Sequence, residues 1–140
     1  MKELSTIDVK LAFEHDIKMA LYTLERYNID ANLALVACAD YDVDKAYLME
    51  SVRQSDVAKK INDHYIAVLF TFVDHTGAQY ALEKLVDHYQ QYPLRGSLVV
   101  LKKGETIDDV CERLVRVNHS AHQDPQRKVF HEFDYPLAME

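Results

Sequence analysis

Three carboxylates at alternate positions, Asp40, Asp42 and Asp44, form the first group of residues that could do chemistry. Carboxylate oxygens are the ligands that Mg²⁺ and Ca²⁺ prefer, so this group could hold a divalent cation. Alternatively, Asp42 or Asp44 caps the amino terminus of a helix and the other carboxylates lie in solvent. Lys45 could contact a phosphate near the start of that helix. We expect the capping role, because a helix is predicted to run from there to about residue 54.

Histidine and cysteine provide further candidates. His119 and His122 are three residues apart, so they could share a helix face and bind a metal. The sequence places no third ligand, and the helix dipole also favours histidines near a helix carboxyl terminus. Cys38 and Cys111 both fall in apolar stretches, which indicates buried, reduced thiols and a cytoplasmic location. Cys38 has no neighbouring base, so a role as a nucleophile is not expected.

The composition excludes several classes of protein. Among 140 residues there are 3 glycines, Gly77, Gly96 and Gly104, which stand too far apart for a glycine-rich phosphate loop. A formal net charge of −7 argues against nucleic acid or anionic lipid as partners, because both are polyanions. The amino-terminal residues lack the apolar core of a signal peptide. No run of 18 apolar residues is present, so no membrane span is predicted.

Hydrophobic periodicity predicts one domain over residues 1–140, with elements in the order α-β-α-β-β-α-β-α-β. Residues 1–30 hold an amphipathic helix, 31–117 the core, and 118–140 a tail with an edge strand at 128–133. The strands of the core are predicted at 33–39, 57–61, 65–73 and 96–101. Their β-α-β-β-α-β order predicts an α+β, ferredoxin-like fold, in which a mainly antiparallel sheet carries the core helices on one face.

Local signals predict how these elements begin and end. The first helix is expected to stop at Asn28 and to bury one apolar stripe, which comprises Ile7, Leu11, Phe13, Ile17, Leu21 and Leu24. Asn62 and Asp63 are predicted to form a hairpin turn with positive φ, which both residue types tolerate. Thr76 and Gln79 are predicted to form a capping box for the next helix. A further helix is expected to open at Thr106.

Residues 53–70 resemble the centre of GGDEF domains, the diguanylate cyclases. In that family an R-x-x-D motif precedes a hairpin whose turn carries Gly-Gly-Asp/Glu-Glu-Phe. Here Arg53 and Asp56 stand at the ends of the R-x-x-D motif. The signature positions are occupied by Asn62, Asp63, His64, Tyr65 and Ile66. The resemblance covers roughly residues 13–133 and implies the palm-like fold of nucleotidyl cyclases.

Departures from the family's signature imply that cyclase activity has been lost. In the family the turn holds the guanine nucleotide, and its glycines let the backbone approach the substrate; Asn62 and Asp63 place side chains there. The acidic residues that serve metal binding and catalysis are His64 and Tyr65 here, and Mg²⁺ does not readily accept imidazole. Asp40 and Lys45 match the family's metal and phosphate positions and are expected to be vestigial. We therefore expect no catalytic residues, no metal and no cofactor.

The R-x-x-D motif implies a ligand. In GGDEF domains it is the inhibitory site that grips cyclic di-GMP, and degenerate relatives can act as receptors. Arg53 could donate two parallel hydrogen bonds to guanine or phosphate. In the alternative interpretation Asp56 accepts hydrogen bonds from backbone amides of its turn, and Arg53 pairs with a nearby carboxylate.

The sequence therefore predicts an inactive, bacterial, cytoplasmic GGDEF-like regulatory module that binds cyclic di-GMP or a signalling protein. The first alternative is an interaction domain without nucleotide binding, in which the first helix and exposed tyrosines pack against a second copy or another protein. The second is a nucleotide cyclase with an altered active site.

Overall fold

The structure, a computed structural model, describes residues 4–38, 56–88, 94–121 and 129–131. The predicted helix that ends near residue 54 lies outside these ranges, as do Asp40, Asp42 and Asp44. The described elements are α1 (Thr6–Tyr27), β1 (Ala31–Cys38), β2 (Val57–Asn62), β3 (Tyr65–Thr71), α2 (His75–His88), β4 (Leu94–Val100), α3 (Ile107–Ala121) and β5 (Val129–His131).

The five strands form one sheet in the order β2-β3-β1-β4-β5. β1 is central and runs antiparallel to both β3 and β4, while β2 pairs antiparallel with β3. β5 joins the edge beside β4 in a parallel arrangement. This topology confirms the predicted α+β fold with a ferredoxin-like core and an edge strand in the tail.

The sheet is buried on both faces. Leu33 and Leu35 of β1 point toward α1 and α3, whereas Ala34 and Val36 point toward α2. This alternation explains why β1 reads as a continuous apolar run, since side chains on both faces of the strand are removed from water. α2 covers one face, and the helices outside the ferredoxin-like core, α1 and α3, cover the other. No helix of the described ranges is long and apolar enough to cross a membrane.

α1 is capped at both ends, and it stops at Asn28 as the sequence predicts. The Ser5 hydroxyl accepts a hydrogen bond from the Asp8 amide, and the Asp8 carboxylate accepts one from the Ser5 amide. Asn28 ends the helix in the left-handed conformation, with φ of 56°. The buried stripe of this helix consists of Val9, Phe13, Ile17, Ala20 and Leu24.

The assignment of Ile7 and Leu11 to that buried stripe was wrong, because both side chains are exposed. α1 carries two apolar stripes, one with Phe13 and Ile17 and the other with Ile7 and Leu11. Because a helix has 3.6 residues per turn, these two sets point to roughly opposite sides of α1. Only the stripe centred on Phe13 and Ile17 meets the sheet. Periodicity detects both stripes, and tertiary packing decides which one is covered.

α2 begins earlier than predicted. The Asp74 carboxylate accepts a hydrogen bond from the Gly77 amide at 2.8 Å, so Asp74 caps this helix. The predicted capping box of Thr76 and Gln79 is wrong, and the Gln79 amide donates to Glu83 instead. A Cβ at Gly77 would lie 2.4 Å from Val73 Cγ2, so any other residue at this entry into the helix would force the Val73 side chain to move. The predicted start of α3 is confirmed, because Thr106 and Asp109 cap each other.

A nearly buried ion pair joins α3 to the end of β4. Arg113 Nε donates to Glu105 Oε2 at 2.8 Å, and Arg113 Nη2 donates to Glu105 Oε1 at 2.5 Å. The same Nη2 also donates to the Val100 carbonyl at 2.6 Å. The Glu105 carboxylate in turn accepts from the Lys102 amide, so one charge pair closes the turn between β4 and α3.

Replacing Arg113 with Met leaves the Glu105 carboxylate buried without its cation. We expect the free energy of unfolding, measured by urea denaturation, to fall by about 3 kcal/mol, in line with other broken buried pairs. The double variant Arg113→Met/Glu105→Met is expected to be more stable than Arg113→Met, because it contains no unpaired buried charge. A double variant that is less stable than Arg113→Met would contradict this interpretation of the pair.

Candidate functional site

Asp56, the last residue of the R-x-x-D motif, and the signature turn lie at opposite ends of β2. Asp56 directly precedes this strand, and the signature turn begins at Asn62, its last residue. A strand rises about 3.3 Å per residue, so the six-residue strand holds Asp56 and the signature turn roughly 20 Å apart. Any chemistry at the turn is therefore spatially separate from any ligand bound at Asp56.

The signature turn closes without a left-handed residue. Asn62 pairs with Tyr65 across a loop of two residues, Asp63 and His64, and the register shifts between Lys60 and Asn62. The Asn62 side-chain oxygen accepts a hydrogen bond from the His64 amide at 2.8 Å. Among the described residues other than glycine, positive φ occurs at Asn28 and Phe72 alone. The predicted positive φ at Asn62 and Asp63 is therefore wrong, because the register shift and the Asn62 side chain close the turn instead.

The signature residues point in different directions. Asp63 is 71% exposed at the tip, and its carboxylate lies 3.3 Å from the Lys60 ammonium. Tyr65 is 1% exposed and packs in the core on the side of α1. Ile66 is buried on the opposite face of the sheet, on the side of α2. Tyr65, one of the two residues at the family's acidic positions, therefore places its ring in the core.

The sheet register brings the carboxyl end of β1 to the same end of the sheet as this turn. Ala37 pairs with Tyr65, so the chain leaves β1 beside the start of β3. Asp40 and Lys45 follow β1 in the sequence but lie outside the described residues, as do Arg53 and His122. Within the described ranges, no three His, Cys, Asp or Glu side chains are close enough together to hold a metal ion.

Asp56 is 7% exposed and has a structural contact. Its Oδ1 accepts a hydrogen bond from the Thr71 amide at 3.2 Å, which joins the start of β2 to the end of β3. A buried carboxylate needs such donors because its removal from water is costly. The donor seen here belongs to the end of β3, 15 residues along the chain, and not to the turn of Asp56 itself, where the sequence interpretation placed the donors. The role of Asp56 in ligand binding remains a prediction.

Sequence reasoning missed the role of Lys59. Its ammonium lies 2.6 Å from Asp16 Oδ2 and donates to the Ala12 carbonyl at 3.1 Å. It also lies 5.3 Å from the centre of the Phe13 ring, within the range of a cation–π contact. Lys59 therefore fastens the hairpin to α1. Strand alternation contained the signal, because it places this lysine on the inward face of β2.

Cys111 is buried, as predicted. Burial raises the pKa of its thiol to about 11. A thiol with this pKa is protonated at neutral pH, whereas the thiolate is the nucleophile. Cys111 is thus a core residue of α3.

Replacing Asp56 with Ala removes the carboxylate that accepts the hydrogen bond of the Thr71 amide. We expect a loss of about 1 kcal/mol in the free energy of unfolding, the usual net contribution of one hydrogen bond, because this contact is partly buried. The matched control is Asp63→Ala, which removes an exposed carboxylate and should change stability by less than about 0.5 kcal/mol. Equal effects of the two substitutions in urea denaturation would rule out the structural role of Asp56.

Comparison with known proteins gives matches at the level of structure. No family model and no curated protein matches the chain. The GGDEF domain of DgcB from Caulobacter crescentus, solved in complex with c-di-GMP, superimposes with a TM-score of 0.73 and 13% identity, covering 87% of this chain and 89% of that domain. The FimX GGDEF domain from Pseudomonas aeruginosa gives a TM-score of 0.70 and 19% identity, covering 79% and 86%.

A third structure contains a protein partner. The diguanylate cyclase SiaD from Pseudomonas aeruginosa, solved with its activator SiaC, gives a TM-score of 0.65 and 14% identity, covering 83% of this chain and 55% of SiaD. Identities this low establish architecture and not activity. The chain has the fold of the GGDEF domains of diguanylate cyclases.

Proposed function

We propose that this chain is a GGDEF-like regulatory module without cyclase activity. The observation that carries the proposal is the composition and geometry of the signature turn. The exposed carboxylate of that turn, Asp63, is paired with Lys60, and Tyr65 is directed into the core.

The chemistry of cyclisation explains why this turn is unsuitable. Phosphoryl transfer assisted by two metals needs carboxylates around the ions and donors on the phosphates. Mg²⁺ is bound in proteins through carboxylates, waters and phosphates, so a tyrosine at this position does not replace a carboxylate as its ligand. The side chain of Asn62 also occupies the turn where glycines would leave room for a nucleotide.

We expect no cyclic di-GMP when the full chain is incubated with GTP and either Mg²⁺ or Mn²⁺. Chromatography of the nucleotides measures the product, and an active diguanylate cyclase assayed in parallel serves as the positive control. Formation of cyclic di-GMP above the level without enzyme would overturn the proposal and would favour a cyclase with an altered site.

The ligand we propose is cyclic di-GMP, held by Arg53 and Asp56. The similar domain of DgcB was solved with this molecule, which supports the choice. The contact with the Thr71 amide fixes the Asp56 carboxylate at the start of β2. Arg53 lies three residues earlier in the sequence, and a guanidinium suits guanine and phosphate because it donates two parallel hydrogen bonds.

The second candidate function is protein binding without a nucleotide. It is favoured by the exposed stripe of α1, where Ile7, Leu11 and Tyr22 lie in solvent. The hydrogen bond from Thr71 to Asp56 also favours it, since a nucleotide at Asp56 has to share or displace that contact. SiaD, which has a similar fold, was solved with an activator protein.

Calorimetry with cyclic di-GMP separates these functions. We expect micromolar or tighter binding by the full chain and none by Arg53→Ala, because the guanidinium supplies the charge-assisted hydrogen bonds. Arg26→Ala is the matched control, since it removes an arginine from the last turn of α1 and should bind normally. Absence of heat at high ligand concentration would eliminate the receptor function. Association in ultracentrifugation that is indifferent to nucleotide would then support the interaction module.

A further inference from the structure

A cavity of about 200 Å³ lies between α1 and the edge of the sheet where β1 begins and β3 ends. Apolar side chains dominate its wall, among them Met19, Ala20, Ile29 and Leu69. Cavities of about 150 Å³ hold a molecule the size of benzene, whereas drug-sized ligands need roughly 300–1,000 Å³. This volume therefore suits one large apolar side chain and is too small for a dinucleotide.

Phe72 stands at the edge of this cavity in a strained conformation. Its φ is 58°, in the left-handed region that bulky L-residues rarely adopt, because Cβ crowds the carbonyl oxygen. Its side chain is nevertheless 63% exposed. Thr71, the preceding residue, is held by Asp56, so the strained residue extends from a fixed point. Strain of this kind persists mainly at functional sites.

A second exposed apolar side chain belongs to the same cavity. Met19 lines the cavity from α1 and is half exposed, and Tyr22 is exposed one turn further along the helix. A single exposed apolar residue is ordinary, but Met19 and Phe72 line one cavity together. Methionine is common on surfaces that bind peptides, because its unbranched side chain adapts to the surface it meets.

The polar part of the lining is acidic. Asp16 and Asp30 contribute carboxylates, and His15 contributes an imidazole. Asp16 is paired with Lys59, whereas Asp30 is exposed and forms no ion pair with a described residue. The whole chain has a formal net charge of −7, so a second copy would place like charges opposite one another. Electrostatic complementarity therefore favours a cationic occupant.

We propose that this cavity binds a segment of a protein partner. The residues that would contact the segment are Met19, Ala20, Ile29, Asp30, Leu69 and Phe72. The segment inserts one large apolar side chain into the cavity, beside Phe72 and Met19. A lysine or arginine next to that side chain pairs with Asp30. The proposal goes beyond nucleotide binding and does not depend on it, because it uses neither Arg53 nor the signature turn.

Two small probes of opposite charge, each a phenyl ring joined to its charged group by the same two-carbon spacer, test this chemistry on the full chain: phenethylammonium and 3-phenylpropionate. Binding is followed at low ionic strength through the NMR signal of the Met19 methyl group, assigned with the variant Met19→Leu. We expect phenethylammonium to bind about fivefold more tightly, the size of effect that one exposed ion pair supplies. The variant Asp30→Asn should remove most of this difference. Equal affinities in the unmodified chain, or no shift of the Met19 signal, would overturn the proposal.

Phe72→Gly distinguishes a binding role from a packing role. Glycine adopts positive φ without steric cost, so we expect an unchanged or higher Tm together with at least about fivefold weaker binding of phenethylammonium. The matched control is Tyr80→Ala, which removes an exposed aromatic ring on α2 and should leave binding unchanged. A lower Tm with unchanged binding would overturn the proposal and make Phe72 a packing residue.

Ultracentrifugation of the same variants tests the identity of the occupant. We expect the oligomeric state of the unmodified chain and of Phe72→Gly to be the same. A dimer of the unmodified chain that becomes monomeric in Phe72→Gly would overturn the cationic partner, because a second copy would then be the occupant.

Discussion

The structure depends on β1, a central strand that is buried on both faces. Leu33 and Leu35 belong to the core under α1 and α3, and Ala34 and Val36 belong to the core under α2. A shift of register by one residue would exchange these two sets, so pairing with β3 and β4 is strongly specified. The pairs of Ala31 with Thr71 and Ala37 with Tyr65 follow from that register. Through them β1 sets the position of both ends of the β2–β3 hairpin.

The two ends of the hairpin are built with different chemistry. At the turn, side-chain contacts close the loop without a positive φ: Asn62 accepts from the His64 amide, and Lys60 pairs with Asp63. At the other end, the buried carboxylate of Asp56 holds the last residue of β3 in place. Phe72 follows directly and adopts positive φ. The tip is thus a closed surface turn, whereas the opposite end combines a fixed anion, a strained residue and a cavity.

Much of the fold could be predicted from the sequence, because the signals are local. The apolar run of β1, the stop at Asn28 and the capping of α3 at Thr106 each depend on neighbouring residues. The failures arose where two local solutions compete. α1 has two apolar stripes and the sheet covers only one, and both Asp74 and Thr76 can cap α2. Strand alternation places Lys59 on the inward face of β2, but spacing alone does not identify its partners on α1. The strain at Phe72 likewise depends on how the chain leaves β3.

We expect the signature turn to hold no metal–nucleotide complex, and paramagnetic broadening by Mn²⁺ in the presence of GTP tests this most directly. The amide signals of Asp63, His64 and Tyr65 report on that turn. Because Tyr65 lies in the core and Asp63 is paired with Lys60, we expect these signals to broaden no more than those of other exposed carboxylates, such as Asp108. Selective broadening of the three signals at substoichiometric Mn²⁺ would contradict this expectation, because it would place a metal–nucleotide complex at the turn.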